Sequence, residues 1–253
     1  MATRAARGFG QYDGVARAIE RVGERWALLI VRDLLTGPHR YGDLKTALPR
    51  IPTNILADRL KELQESGVIR RVPTVRGGYE LTALGRELAP VVAGLERWGW
   101  SSLGEPAEGE TVTREALITA LRAAFRADGA AGTPPTRYVL HVAEASVSAV
   151  VAGGALDVVP IGPGALPQPR RERPEPAVEA SVELALEPTE FRDLLAGRLG
   201  PGAVRVLAGE ATSVGHFVQT FRIEPIAGAA GAAADGAGTA SASEAGGSAA
   251  SVT

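Results

Sequence analysis

The side chains best suited to specific chemistry lie on one face of a helix predicted over residues 53–65. Its buried face is predicted from three leucines at helical spacing, Leu56, Leu60 and Leu63. The opposite face carries five polar residues, Thr53, Asn54, Asp58, Arg59 and Lys61. Asparagine can pair bidentately with adenine and arginine with guanine, and a helix fits the major groove of DNA. These residue types therefore predict a surface that reads base edges.

Basic residues flank this helix. Arg40, Lys45 and Arg50 precede it, and Arg76 lies at the tip of a predicted hairpin. We expect the first three to contact phosphates and Arg76 to reach a backbone or a minor groove. Each of these charges taken singly is more often part of a solvated face, so the prediction rests on the ordered set of elements around them.

The elements that must position these side chains form a winged helix-turn-helix. We predict a first helix from Asp13, as a capping residue, to about Val22, with Ala16 and Ile19 facing inward. A buried central helix follows from Trp26 to Gly37, and a shorter one begins at Arg40. Thr53 caps the polar-faced helix, which ends at Gly67. Strands over 68–72 and 78–81 form the wing.

A last helix is predicted to begin at the capping residue Thr82 and to continue past the small domain. It carries an apolar stripe spaced four, three, four and three residues apart, Leu84, Leu88, Val91, Leu95 and Trp98. Such a heptad-like stripe needs a partner surface, and a second copy of the same helix is the simplest one.

Residues Val15 to Val92 resemble the HxlR-type winged-helix transcriptional regulators. The resemblance rests on Gly23 and Arg25-Trp26, on the run Arg40-Tyr41-Gly42-Asp43-Leu44, on the pattern from Leu56 to Gly67, and on Tyr79-Glu80-Leu81-Thr82 followed by Gly85. It implies a homodimer on palindromic double-stranded DNA, built from the first helix, which carries Ile19, and the last. Family members often carry a cysteine before the first helix, where this chain reads Gln11-Tyr12-Asp13-Gly14. Thiol sensing is therefore impossible here.

Residues 105–112 form a polar linker to a second domain over 113–226. Helices are predicted from Thr113 to Phe125, over 188–195 and over 211–221, and strands over 137–142, 147–151, 156–159, 178–186 and 204–207. Gly153-Gly154 is a plausible hairpin turn. This order predicts an α+β domain with helices packed on an antiparallel sheet. The whole chain is thus expected to be α+β, with the winged helix at residues 1–104.

This second domain resembles sterol-carrier-protein-like domains, through the runs VELALEP, TEFRDLLAGRLGP and VRVLAGEATSVGHFVQTF. The resemblance implies an apolar cavity between sheet and helices that takes a small apolar ligand. Its candidate lining residues are Leu121, Phe125, Phe191, Leu195, Phe217 and Phe221. Ordinary core packing is the alternative for each. A stretch with six prolines over 160–178 reads as a long irregular loop that could gate such a cavity.

The amino-acid composition limits the classes of function that the chain can have. The 253 residues contain no cysteine and carry a formal net charge of −2, with 16 basic and 11 acidic residues in 1–104. The basic N-terminal part of the chain is therefore the candidate for binding a polyanionic partner. No apolar run approaches a bilayer span, so no membrane role is expected and a cytoplasmic location is the default. Residues 227–253 contain 24 Ala, Gly, Ser or Thr and are predicted to be a disordered tail.

Catalytic signatures are absent from the sequence. His39, His141 and His216 lie in separate elements without metal-ligand spacing, and no phosphate-binding loop or nucleophile elbow occurs. We expect no enzyme activity, metal or cofactor, and expect His39 to be solvated or to contact a phosphate. The scarcity of lysine (Lys45 and Lys61) suggests a GC-rich genome, which fits an actinobacterium.

Three functions remain open from the sequence. The first is a dimeric DNA-binding regulator whose second domain receives a signal. The second is a small-molecule carrier whose winged helix serves protein contacts. The third is a regulator whose second domain is only a dimerisation or corepressor surface.

Overall fold

The computed structural model describes residues 8–72, 77–162 and 177–224. It contains both helices and sheets, as predicted, and it falls into two units that pack against each other. Several sequence predictions concern residues outside this part of the chain, namely Arg76, most of the proline-rich stretch and the tail over 227–253. No helix in the described ranges combines the length and the apolar character needed to cross a membrane.

The first unit is built from six helices and a small sheet within the described residues. The helices are α1 (Gly14–Val22), α2 (Ala27–Leu34), α3 (Tyr41–Ala47), α4 (Thr53–Glu65), α5 (Ala83–Arg86) and α6 (Ala89–Trp100). The strands are β1 (His39–Arg40), β2 (Ile69–Val72) and β3 (Gly78–Leu81), in the spatial order β1-β3-β2. All pairings in this sheet are antiparallel. The predicted hairpin is therefore present, and β1 adds a third strand to it.

The last predicted helix is two helices in the structure. Thr82 caps α5 through a hydrogen bond that its side-chain oxygen accepts from the amide of Gly85. The chain then turns at Glu87 and Leu88, and Pro90 lies in the first turn of α6. Proline has no amide hydrogen and clashes with the preceding turn inside a helix, whereas it is tolerated at a helix start. The continuous helix predicted from Thr82 is wrong for this reason.

The start of α4 also differs by one residue from the prediction. Pro52, with extended backbone angles, is the N-cap, and Thr53 is the first helical residue. The helix ends where predicted, since Gly67 adopts a left-handed φ of 73°. The interior of the unit is apolar, with Ile30, Leu44 and Leu56 all fully buried.

In the described part of the second unit, a five-stranded sheet is covered by helices α7 (Arg114–Ala124), α8 (Pro188–Leu195) and α9 (Thr212–Thr220). Its strands are β4 (Thr136–Val142), β5 (Ala145–Ala152), β6 (Ala155–Pro160), β7 (Ala180–Leu186) and β8 (Arg205–Gly209), in the order β6-β5-β4-β7-β8. Gly153 and Gly154 form the β5–β6 turn with φ of 56° and 74°. Alternate residues of β4 and β7, such as Tyr138 and Val182, pack in one core with residues of all three helices.

One pairing in this sheet departs from the antiparallel prediction. Strands β4 and β7 are parallel, with Thr136 opposite Ala180 and Val142 opposite Leu186. Strand β6 lies at one edge of the sheet, whereas β7 lies beside β4 on the side away from β5, so β6 and β7 are not neighbours. Parallel neighbours such as β4 and β7 cannot be joined by a tight hairpin turn and need a longer connection.

Candidate nucleic-acid interface

Helix α4 buries one side and exposes the other. Leu56, Leu60 and Leu63 are at most 1% exposed and pack in the core of the first unit. The opposite side exposes Asn54, Asp58 and Lys61, and Thr53 is exposed at the start of the helix. Because the leucines fix the rotation of the helix, the three polar side chains opposite them must face solvent together. These four exposed residues are among the five that the sequence predicted for base reading, and the fifth is Arg59.

Arg59 differs from the other polar residues of α4. Its side chain is only 15% exposed and forms ion pairs with Glu62 on the same helix and, at 3.3 Å, with Glu24. Glu24 lies between α1 and α2, so this pair ties α4 to the start of the central helix. Arg59 would have to leave both carboxylates to contact a base.

The basic residues before α4 are placed in three different ways. Arg40 is exposed, while its backbone amide donates to the Asp43 carboxylate at 2.8 Å. The Lys45 ammonium donates to the carbonyl of Pro49 at 3.2 Å. The Arg50 guanidinium donates to the carbonyl of Glu108, in the linker, at 3.1 Å. The structure thus brings Lys45 and Arg50 to the turn in front of α4, with Arg50 also touching the linker.

A hydrogen bond that the sequence did not predict positions the start of α4. The Tyr41 hydroxyl donates to the carbonyl of Thr53 at 2.8 Å and holds α3 against the first turn of α4. Strand β1 contributes as well, since His39 and Arg40 pair with Tyr79 and Gly78 of the wing. A two-residue strand has no periodicity to detect, which is why sequence reasoning missed it.

His39 is buried and joins the two units, so the expectation of a solvated or phosphate-contacting side chain is wrong. It is 6% exposed, and its Nδ1 lies 2.9 Å from the carbonyl of Gly37. Its Nε2 lies 3.4 Å from the Glu115 carboxylate on α7. The charged partner of buried His39 lies 76 residues further along the chain, so the local sequence could not indicate it.

Asp33 is a fully buried carboxylate in this interface. One of its oxygens pairs with the Arg32 guanidinium at 2.7 Å. Burial raises the pKa of Asp33 to about 6, against the opposing effect of Arg32. Burial is the largest single influence on His39 and lowers its pKa, but the hydrogen bonds to Glu115 and Gly37 and the charges of Glu115 and Asp33 together outweigh burial, so the pKa of His39 is raised. The acidic residue within the apolar run of α2 was the signal that could have pointed to this site.

We expect the fold to lose stability as the pH rises from about 5 to about 8. Folded Asp33 keeps its proton up to about pH 6, whereas its ordinary pKa is 3.8, so its contribution is greatest at low pH and is lost above 6. This loss amounts to about 1.4 kcal/mol for Asp33 over that interval, and His39 adds to it with the same sign. Glu115, whose pKa is lowered despite its burial, has the opposite effect only at more acidic pH. Urea denaturation at each pH measures the change.

Two variants separate the groups in this experiment. Asp33→Asn removes the contribution of Asp33 and leaves that of His39, while His39→Gln does the reverse. Each variant should therefore show a shallower pH dependence than the wild type. Equal slopes in the wild type and in Asp33→Asn would contradict the assignment to Asp33.

Helices α1, α5 and α6 expose large apolar side chains, which we call the apolar patch. Its members are Ile19 (46% exposed), Leu84 (46%), Val91 (48%), Leu95 (44%) and Trp98 (67%). Leu88, the remaining residue of the predicted stripe, is partly buried against the first core. The expectation that Ile19 faces inward is wrong, because Ala16 and Val22 supply the buried side of α1.

The residues predicted to line a ligand cavity lie in the core of the second unit. Leu121, Leu195, Phe217 and Phe221 are fully buried, Phe191 is 4% exposed, and Phe125 packs at the edge. The rings of Phe217 and Phe221 lie 4.6 Å apart, centroid to centroid. Phe191 also borders a cleft between the two units.

The known proteins described below are similar to the N-terminal part of the chain. A family model described as HxlR-like helix-turn-helix matches residues 21–106. The chain is 38% identical to the HTH-type transcriptional regulator YvaP of Bacillus subtilis over 86 residues. These residues cover 32% of this chain and 80% of YvaP. It is 42% identical to the HTH-type transcriptional regulator Rv3095 of Mycobacterium tuberculosis over 98 residues. These residues cover 37% of this chain and 61% of that protein.

The chain therefore spans about three fifths of the length of the mycobacterial relative. A solved structure, that of quinone-bound YodB from B. subtilis, is similar over 34% of this chain and 93% of that chain. The sequence identity is 32% and the TM-score is 0.31.

Proposed function

The chain belongs to the HxlR-like helix-turn-helix family, and on this basis we propose that it is a sequence-specific DNA-binding transcriptional regulator. The observation that carries the proposal is the exposed polar side of α4. Asn54, Asp58 and Lys61 face outward because three leucines bury the other side, and Thr53 is exposed at the start of the helix. A helix rotated in this way presents hydrogen-bonding groups where base edges would lie.

In the proposed complex each protomer places α4 in a major groove. The exposed residues of α4 read bases, while Arg40, Lys45 and Arg50 hold phosphates beside it. Arg76 would contact DNA from the wing. Half-sites would lie about one helical turn (~34–36 Å) apart or a multiple of it, because both grooves must face the same side of the duplex.

The apolar patch supports a homodimer on a palindromic operator. Apolar side chains as exposed as Trp98 gain stability when they are covered by a second apolar surface. An isologous dimer places the same patch on both protomers, and its two-fold axis would coincide with that of the palindrome.

We further propose that the second unit is sterol-carrier-like and controls DNA binding through a small apolar ligand. The support is its apolar core beneath a five-stranded sheet. The aromatic residues of that core pack against each other, so a ligand among them would require the helices to move. Such a ligand can shift DNA binding only by preferring one arrangement of the protein.

Salt dependence tests whether phosphates hold the protein. Four basic residues per protomer, Arg40, Lys45, Arg50 and Arg76, give about eight phosphate contacts in a dimer. The logarithm of the association constant should fall with the logarithm of salt concentration with a slope of about −7. Fluorescence anisotropy with the DNA fragments recovered with the purified protein measures this slope.

The control is a variant that removes one positive charge away from the proposed DNA interface. Arg205→Gln, on an exposed edge-strand position of the second unit, should leave the slope unchanged, whereas Arg40→Gln should reduce its magnitude by about 1.8 for the dimer. A salt-independent association, or no association with any recovered fragment, would rule out the proposed function in favour of a carrier with a protein-binding winged helix.

A further inference from the structure

A cleft of about 820 Å³ lies where the two units meet. Its walls come from α2, the turn before α4, α6, the linker, α7 and α8. This volume suits a drug-sized molecule, and interfaces between domains are common ligand sites. The cleft borders the packed core of the second unit, with which it shares Trp100, Leu117, Ala120 and Phe191. Helices of both units therefore contact any molecule bound there.

Aromatic side chains form one part of the cleft. Trp100 and Phe191 meet edge to face with ring centroids 6.1 Å apart, and Trp26 lies in the wall from the first unit. The Trp100 indole N–H is buried and has no hydrogen-bond acceptor among the described residues. Trp26 has a left-handed φ of 80°, which is a rare conformation for a large side chain. Strained residues of this kind concentrate at binding sites.

The cationic side chains of the cleft differ in their partners. Arg32 is paired with Asp33, and Arg192 with Asp193 at 2.9 Å. Arg50, by contrast, has no carboxylate partner among the described residues, and its guanidinium donates to the main-chain carbonyl of Glu108. An incoming anion could therefore engage Arg50 without displacing another anion, since it would replace only a hydrogen bond to the linker.

We propose that this cleft binds a small aromatic anion, with its rings against Trp26, Trp100 and Phe191 and its negative group at Arg50. The consequence for DNA rests on the proposed function. Arg50 lies two residues before Pro52, the cap of α4, where the proposed complex needs it for a phosphate. The bound anion competes with DNA for that guanidinium and weakens operator binding.

Anilinonaphthalene sulfonate, an aromatic anion, is the probe. We expect it to bind the full-length protein with energy transfer from tryptophan, and the signal should persist in Trp98→Phe because Trp98 lies outside the cleft. Gly99 lines the cleft on α6, and a Cβ atom there meets nothing within 4 Å. Gly99→Leu should therefore fold, fill the cleft and weaken probe binding about tenfold or more.

Gly215→Leu is the matched control, because Gly215 also lies in a helix with open space at its Cβ position but is not in the cleft. Ala116→Leu, on α7, fills the cleft from the other unit and replaces Gly99→Leu if circular dichroism shows that the latter is unfolded. Equal probe binding in the wild type and in a folded cleft-filling variant would overturn the proposal.

A second experiment measures operator binding in the presence of a saturating concentration of the same probe. Operator binding should weaken, and the magnitude of its salt slope should fall by about 1.8 for a dimer, the equivalent of one phosphate contact per protomer. Unchanged DNA binding at saturating probe would overturn the competition at Arg50. If the protein binds the probe but binds no DNA even when the probe is absent, the proposed function is overturned. The proposal of a binding cleft then still stands, because the probe titration contains no DNA.

Discussion

Replacing Trp98 by glutamate is expected to convert the proposed dimer to a monomer and to weaken operator binding by about 100-fold or more. Trp98 is 67% exposed in the single chain, so the change costs the monomer little. In the proposed dimer the same position is covered by apolar side chains, where an unpaired carboxylate is costly to bury. A monomer reads only one half-site and loses the gain in effective concentration from the linked second site.

Sedimentation equilibrium gives the oligomeric state, and anisotropy gives the DNA affinity. Leu207→Glu is the control, because Leu207 is also a large exposed apolar residue (46%), but on the edge strand β8 of the second unit. It should leave both measurements unchanged. A Trp98→Glu protein that stays dimeric with full DNA affinity would exclude the apolar patch as the dimer interface.

Asn54→Ala is expected to weaken binding to the preferred operator by about 5- to 150-fold, the equivalent of roughly 1–3 kcal/mol. The exposed Asn54 amide on the first turn of α4 can pair with an adenine, and alanine removes both hydrogen bonds. Binding to unrelated DNA should change little, because that binding depends on phosphates. The measurement is the ratio of operator affinity to non-specific affinity.

Three further substitutions on α4 serve as comparisons for Asn54→Ala. Lys61→Ala should weaken binding to both kinds of DNA if Lys61 meets a phosphate, and Glu65→Ala, exposed at the end of the helix, should weaken neither. Arg59→Ala should have a smaller effect than Asn54→Ala, because Arg59 is held by Glu24 and Glu62. An unchanged specificity ratio in Asn54→Ala would exclude this face of α4 from base recognition.

The elements with strong local patterns were predictable from the sequence. The bounds of α4, the wing strands and the succession of helices and strands in the second unit match the structure closely. Such elements are set by apolar periodicity, capping residues and turn glycines within about a dozen neighbours. The exposed polar face of α4 follows from the same pattern, since three leucines at helical spacing bury the other side.

Other features depend on residues far apart in the chain. Asp33 and His39 appear in sequence as an ordinary acidic residue and a turn histidine, yet α7 buries both and supplies Glu115. The Arg59–Glu24 pair also joins residues that no local pattern connects. Ile19 satisfies the helical spacing for an inward position but lies on the exposed side of α1. The environment of each group was therefore decided by the elements packed around it.

The sequence by itself determined the winged helix, the orientation of its polar face and the absence of any thiol chemistry, because these follow from residue types and short-range spacing. Only the tertiary structure decided that the two units share a buried charged interface, that Arg50 meets the linker and that an aromatic cleft opens between the units. The physical reason is that burial and desolvation depend on which surfaces meet, and surfaces separated by many residues are brought together only when the whole chain packs.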